Sequence, residues 1–241
     1  MTDLLLLPLM SACAGFVQRV SGFGFGIFIM MFLPYIMPSY KEAVALSGLL
    51  SAATALFIVA RNFRYIRWRC MPVVLFFNIL VSCFVVVIMD SQSASSLFHS
   101  LGVVLVVVAF YFLFFEKRMK MRFVSWYSRC LVGAVSGFMG AMFGMPGPAV
   151  VLYGINVIRS KKEYMATMQA FWILFNLFYM LFRSGGGYYT SETPLNLLLG
   201  GVGVFAGIYL GARLFGAVNA VILRRIVYCV MLLSGVAAML K

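Results

Sequence analysis

Long apolar stretches separated by short basic clusters set the pattern of this chain. Six of the stretches have the length of a single helical membrane span, roughly 20 residues. They are Ala43 to Ala60, Met71 to Met89, Leu97 to Phe115, Glu163 to Phe182, Leu195 to Gly211 and Val221 to Leu240. Two others, Leu4 to Met37 and Trp126 to Ile158, are each more than 30 residues long. As continuous helices they would run roughly 50 Å, well past a hydrocarbon core of ~30 Å. Each is interrupted at its middle, the first by Ser21-Gly22-Phe23-Gly24-Phe25-Gly26 and the second by Phe143-Gly144-Met145-Pro146-Gly147-Pro148. Alternating glycines lower helix propensity, and prolines remove backbone donors and clash with the preceding turn. Both stretches are therefore predicted to be two helical pieces joined by irregular backbone at membrane depth.

Composition excludes the soluble alternatives. Of 241 residues, 64% are hydrophobic and 10% charged, which leaves too little polar surface to cover a soluble exterior. A water-soluble enzyme, a nucleic-acid binder and a disordered tail are all ruled out. The 19 basic and 6 acidic residues give a net charge of +13, and its meaning here lies in position, because Lys and Arg concentrate in cytoplasmic loops. If both long stretches are hairpins that enter and leave on one side, 15 basic residues between 61 and 225 fall in cytoplasmic loops, three (Lys41, Arg183, Lys241) lie outside, and Arg19 is within the membrane. If both are single spans, the division becomes 11 inside and 7 outside. Hairpins are predicted, with both chain ends outside. Leu4 to Ala14 lacks the basic flank of a secretory signal and reads as mature membrane structure. The five cysteines are scattered without metal-binding spacing and read as packing residues.

The chain also repeats itself. Gly15-Phe16 followed by Gly22 recurs as Gly137-Phe138 followed by Gly144, an offset of 122, and Ser39-Tyr40-Lys41-Glu42 recurs as Ser160-Lys161-Lys162-Glu163, an offset of 121. Both offsets are close to half the chain. Residues 1–120 and 121–241 thus read as two membrane repeats within one integral membrane domain. Each repeat has one broken re-entrant hairpin and three crossings, and the odd number inverts the second relative to the first. The expected fold is an all-α polytopic membrane protein with the inverted-repeat plan of secondary transporters. The Ser-x-x-Glu elements read as capping boxes, and no carboxylate is expected deep in the membrane.

The broken tips carry the candidate chemistry. Half-helices starting near Gly26 and near Pro148 would aim free N–H groups and positive dipole ends into the protein, an arrangement suited to anions. Ser21, Gly22, Gly24, Gly26, Gly144 and Gly147 are the candidate substrate contacts there. Arg19 is a candidate charge partner, with neutralisation of the first half-helix's last carbonyls as its alternative role. Gln169, Trp172 and Asn176 share one face of their span, and Gln169 and Asn176 are read as lining the site. Ser47, Ser51 and Thr54 form a second stripe that reads as helix packing. His99 is read as interfacial.

These features together resemble the sulfite exporter TauE/SafE family of membrane permeases. The resemblance rests on Gly15-Phe16 through Gly26, on Lys41 to Ser47, and on their counterparts Gly133 to Pro148 and Glu163 to Thr167. It implies a bacterial inner-membrane exporter of sulfite, organosulfonates or related sulfur-containing anions. The second tip carries Pro146-Gly147-Pro148 where the first has Gly24-Phe25-Gly26, so the halves are expected to contribute unequally. The expected partners are a small anionic substrate and the lipid bilayer, with a homodimer as an option and no nucleic acid; no cofactor or metal is expected. Two other readings compete. An anion channel or facilitator could use the same tips, although carbonyl filters select cations. An intramembrane protease would need a Ser–His pair, and the single His99 has no such context. The chain is therefore not read as an enzyme.

Overall fold

The computed structural model describes residues 2–21, 23–115, 125–184, 187–214 and 220–240, and these are helical throughout apart from turns and short connections. The first half contains α1 (Thr2–Ser21), α2 (Phe25–Ile29), α3 (Leu33–Ile36), α4 (Tyr40–Asn62), α5 (Pro72–Asp90) and α6 (Ala94–Phe115). The second contains α7 (Trp126–Phe143), α8 (Gly147–Val157), α9 (Lys161–Phe182), α10 (Thr193–Arg213) and α11 (Ala220–Met239). Among the described residues five helices, α4, α5, α6, α9 and α10, are long and apolar enough to cross a membrane. The sixth expected span is α11, a helix of 20 residues.

Both long stretches break where the glycines and prolines lie. α1 ends at Ser21, and α2 begins after Gly24, whose φ of 100° puts it in the left-handed region. α7 ends at Gly144 with φ 66°, which lets the Gly144 N–H reach the Gly140 carbonyl and the Met145 N–H reach that of Met139. Positive φ is cheap only for glycine. The second half-helix begins one residue earlier than expected, with Gly147 first and Pro148 second. The first half-helix is shorter than expected, since α2 stops at Ile29 and a turn separates it from α3. Pro34 explains this, because it has no N–H for the Met30 carbonyl and its ring clashes with that carbonyl.

The capping boxes form only in part. Ser39 Oγ accepts from the Glu42 N–H at 3.1 Å, but Ser160 makes no such bond. Glu163 pairs instead with Arg67 Nε at 2.9 Å, and the adjacent Arg67 N–H bonds Thr167 Oγ1 at 3.0 Å. Glu42, the third residue of α4, is fully buried by the protein.

Packing relies on close backbone approach. Gly203 and Gly207 of α10 lie against the carbonyls of Pro8 and Ala12 on α1, and a Cβ at Gly15 would come within 2.9 Å of the Val204 carbonyl. On the other side, Gly133 and Gly137 of α7 meet the carbonyls of Val74 and Asn78 on α5. Gly102 of α6 and Gly235 of α11 face each other's carbonyl oxygens, with added Cβ atoms at 2.8 and 2.9 Å. Small residues at these contacts let helices gain dispersion where lipid offers no hydrophobic driving force. The principal pairs are α1 with α10, α5 with α7, α4 with α9, and α6 with α11, so each of these helices finds its main partner in the other half of the chain. α4 and α9 form the centre, with 56% of each span buried against 33–39% for α5, α6 and α10. Exposed Leu131, Leu177, Leu181, Leu198 and Val202 form part of an outer apolar surface.

Replacing Gly207 by Ala puts a methyl group into the Ala12 backbone and should cost about 1–3 kcal/mol, read as a lower melting temperature in detergent. Gly201→Ala, on the same helix with nothing within 4 Å, should leave it unchanged.

Candidate functional site

The two helix breaks meet. A Cβ at Gly26 would sit 2.7 Å from the Gly144 carbonyl oxygen and 3.4 Å from Met145 Cα, so glycine is what permits the tips to touch. Between them lies a small cleft walled by Gly24 to Ile27 from the first break, Gly144 to Gly147 from the second, and Gln18, Ser51 and Trp172. The first amides of a helix have no intrahelical acceptor. Those of Phe25, Gly26, Ile27 and Gly147 belong to the cleft walls, while α8 carries the longer dipole of the two half-helices.

A helix that ends at such a cleft also brings carbonyls, which would repel an anion. In α7 those of Gly140, Ala141 and Met142 are covered. The Arg183 guanidinium donates from Nη2 to the carbonyls of Ala141 at 2.8 Å and Gly140 at 3.1 Å, and from Nη1 to that of Val44 at 3.5 Å. Tyr40 Oη donates to Met142 at 3.1 Å and Ser47 Oγ to Gly144 at 3.4 Å. Ser136 Oγ holds the Pro146 carbonyl at 2.8 Å and itself accepts from Asn78, which accepts in turn from Tyr179 Oη at 3.2 Å. With these carbonyls bonded, fewer acceptors are left at the second tip to face the cleft.

Arg183 is therefore no outward loop charge, as its sequence position suggested. It is 1% exposed, with its guanidinium 4.9 Å from the Tyr179 ring centre and 5.5 Å from that of Tyr188. A run of Ser and Gly after it reads as loop, and the only local signal of burial is the aromatic residues at 179, 188 and 189.

The candidate residues divide into groups. Gly24, Gly26, Gly144 and Gly147 all line the cleft. Gln169 lies behind it, accepting from Gln18 Nε2 at 2.8 Å, and this bond ties α1 to α9. Asn176 sits elsewhere, bonded to the Trp172 carbonyl at 2.8 Å and facing Gly48. Arg19 is not on the cleft wall; its Cβ and Cγ run beside Gly211 of α10. Gly22 and the Ser21 side chain lie outside the described residues. Ser51, read as packing, is a wall residue, and Ser47 bonds the second tip, while Thr54 bonds the Leu50 carbonyl of its own helix. Gln18 was missed beside Arg19, although a Gln inside an apolar span is itself a signal of a polar partner.

Replacing Arg183 by Gln should lower stability by about 2–4 kcal/mol, since buried carbonyls lose charged donors. Lys should rescue only partly, because it lacks the fork that reaches two carbonyls. Melting temperatures of the purified variants check this order.

A protein-family model described as "Sulfite exporter TauE/SafE" matches residues 7–238, nearly the whole chain. No curated protein and no solved structure matches. The apolar spans and this match make the protein an integral, multi-pass membrane protein of transporter rather than enzyme type. The chain belongs to the sulfite exporter TauE/SafE family.

Proposed function

We propose that this protein is a secondary transporter that exports small sulfur-containing anions, such as sulfite or organosulfonates, across the bacterial inner membrane. One observation carries the reading: two helix breaks meet at a cleft walled by first-turn residues of two half-helices, while the Gly140, Ala141 and Met142 carbonyls near the end of α7 are already bonded. The anion is held by the amides at Gly26 and Gly147, with Gln18 and Ser51 as neighbouring polar groups. Arg19 adds positive potential from behind the first tip, and Gln169 fixes Gln18. Asn176 supports α4 at Gly48, away from the cleft wall.

The inverted-repeat plan belongs to this proposal, with a re-entrant hairpin in each of residues 1–120 and 121–241. Exchanging the halves turns the α1–α10 pair into α7–α5 and leaves α4–α9 and α6–α11 as they are, which supports a two-fold relation. Because the main pairs join the halves, the bodies that move in alternating access are not the halves themselves. They are the mixed pairs α1–α10 and α5–α7, sliding on the α4–α9 centre.

The protein in proteoliposomes should move sulfite or a sulfonate and be competed by small anions; if no anion moved or bound, the proposal would fail. Gly147 has room for a Cβ, its nearest neighbour being Trp172 at 3.9 Å. Gly147→Ala should therefore keep the melting temperature yet raise KM about tenfold, or ~1.4 kcal/mol, whereas Arg19→Lys should stay close to wild type and Arg19→Ala should not. The topology has its own check: a cysteine at exposed Ser160 should be labelled only from the cytoplasmic side, and labelling from outside would sink the hairpins.

A further inference from the structure

Away from the cleft, Glu42 presents a buried carboxylate that the capping box does not use. It is 0% exposed and turned towards the segment that opens α10. Its Oε1 accepts from Thr190 Oγ1 at 3.0 Å, Asn196 Nδ2 at 3.4 Å and Thr193 Oγ1 at 3.5 Å. Its Oε2 is buried with no hydrogen-bond partner. Among the described residues the carboxylate has no cationic partner: Lys41 is over the Tyr188 ring at 5.3 Å, and Arg183 is bound to carbonyls. A buried carboxylate with a bare oxygen is costly unless something compensates it.

We propose that Glu42, Thr190, Thr193 and Asn196 form a binding site for a sodium-class monovalent cation. The donor set is hard oxygen, which suits alkali and alkaline-earth cations rather than soft transition metals. One carboxylate among neutral ligands cancels a single positive charge, whereas a divalent ion would leave buried charge over. The two threonine hydroxyls lie 3.3 Å apart, close enough to share one small ion with Glu42. Asn196, whose amide nitrogen now faces Glu42 and Met37 Sδ, presents its carbonyl oxygen after a flip of the amide.

The cation would pin the start of α4 to the start of α10. From Glu42, α4 runs on to Ser47, bonded to the second tip, and to Ser51 on the cleft wall, about 13 Å away at 1.5 Å per residue. Occupancy thus reaches both the centre and the α1–α10 pair. Binding itself needs no transport, but its use as the coupling ion rests on the exporter reading.

The test uses purified full-length protein without any anionic substrate. Binding of radiolabelled sodium is measured, with melting temperature in sodium chloride against choline chloride at equal ionic strength. The wild type should bind sodium saturably and melt a few degrees higher in sodium. Glu42→Gln should lose both effects, and Thr190→Ala, at an exposed position, should weaken binding severalfold and keeps the test open if the Glu42 variant does not fold. No sodium response in the wild type, stabilisation by acid alone, or an undiminished response in both variants would overturn the site. Sodium binding without any anion transport would leave the site standing and count against the exporter reading instead.

Discussion

A helix that ends inside a membrane protein leaves its last carbonyls facing an interior without water, and the whole centre of this molecule is arranged around meeting that demand. The end of α7 shows how. Its carbonyls draw a guanidinium from the end of α9, a phenol and a hydroxyl from α4, and amides from its own wrapped terminus. These bonds fix α4, α7 and α9 relative to each other. They also withdraw the Gly140, Ala141 and Met142 carbonyls from the cleft side of the helix end.

The same constraint explains what could be read from the residues alone. Helix breaks are local events, written in Gly24, Gly144, Pro146 and Pro148, and the reading placed them to within a residue or two. That the breaks must meet also followed from the need to hide irregular backbone from lipid. Pro34 was visible but its effect on α2 was not drawn, which made the first half-helix seem longer than it is. Arg183 was misread because charge counting assumes that a basic residue beside a glycine run is solvated. Its true partners are the α7 carbonyls, some 40 positions earlier, and no local pattern points to them. Glu42 was half legible: the serine cap was correct, but the destination of the carboxylate depends on α10, 150 residues away. Likewise the packing reading of Ser51 could not anticipate the cleft beside it.

Buried charges of opposite sign therefore sit near the same end of the α4–α9 centre without pairing. Arg183 is spent on carbonyls and Glu42 on hydroxyls and an amide. Each is bonded in part by polar groups supplied from another element, so each acts as a clamp between elements rather than as half of an ion pair. A direct pair would be self-contained, whereas two separate clamps make the position of α4 depend on α7, α9 and α10 together.

The crossing of helix partners between halves bears on how the chain is made. Synthesis delivers α1 and α5 before α10 and α7 exist, so the glycine faces at Gly15, and the carbonyls of Pro8, Ala12, Val74 and Asn78 that will receive glycines, must wait in the bilayer unmatched. The main pairs of both halves form only between the halves, so domain-by-domain folding, the usual course for larger proteins, does not suit this chain. Truncations and split versions should accordingly be judged as unfinished assemblies rather than as smaller proteins.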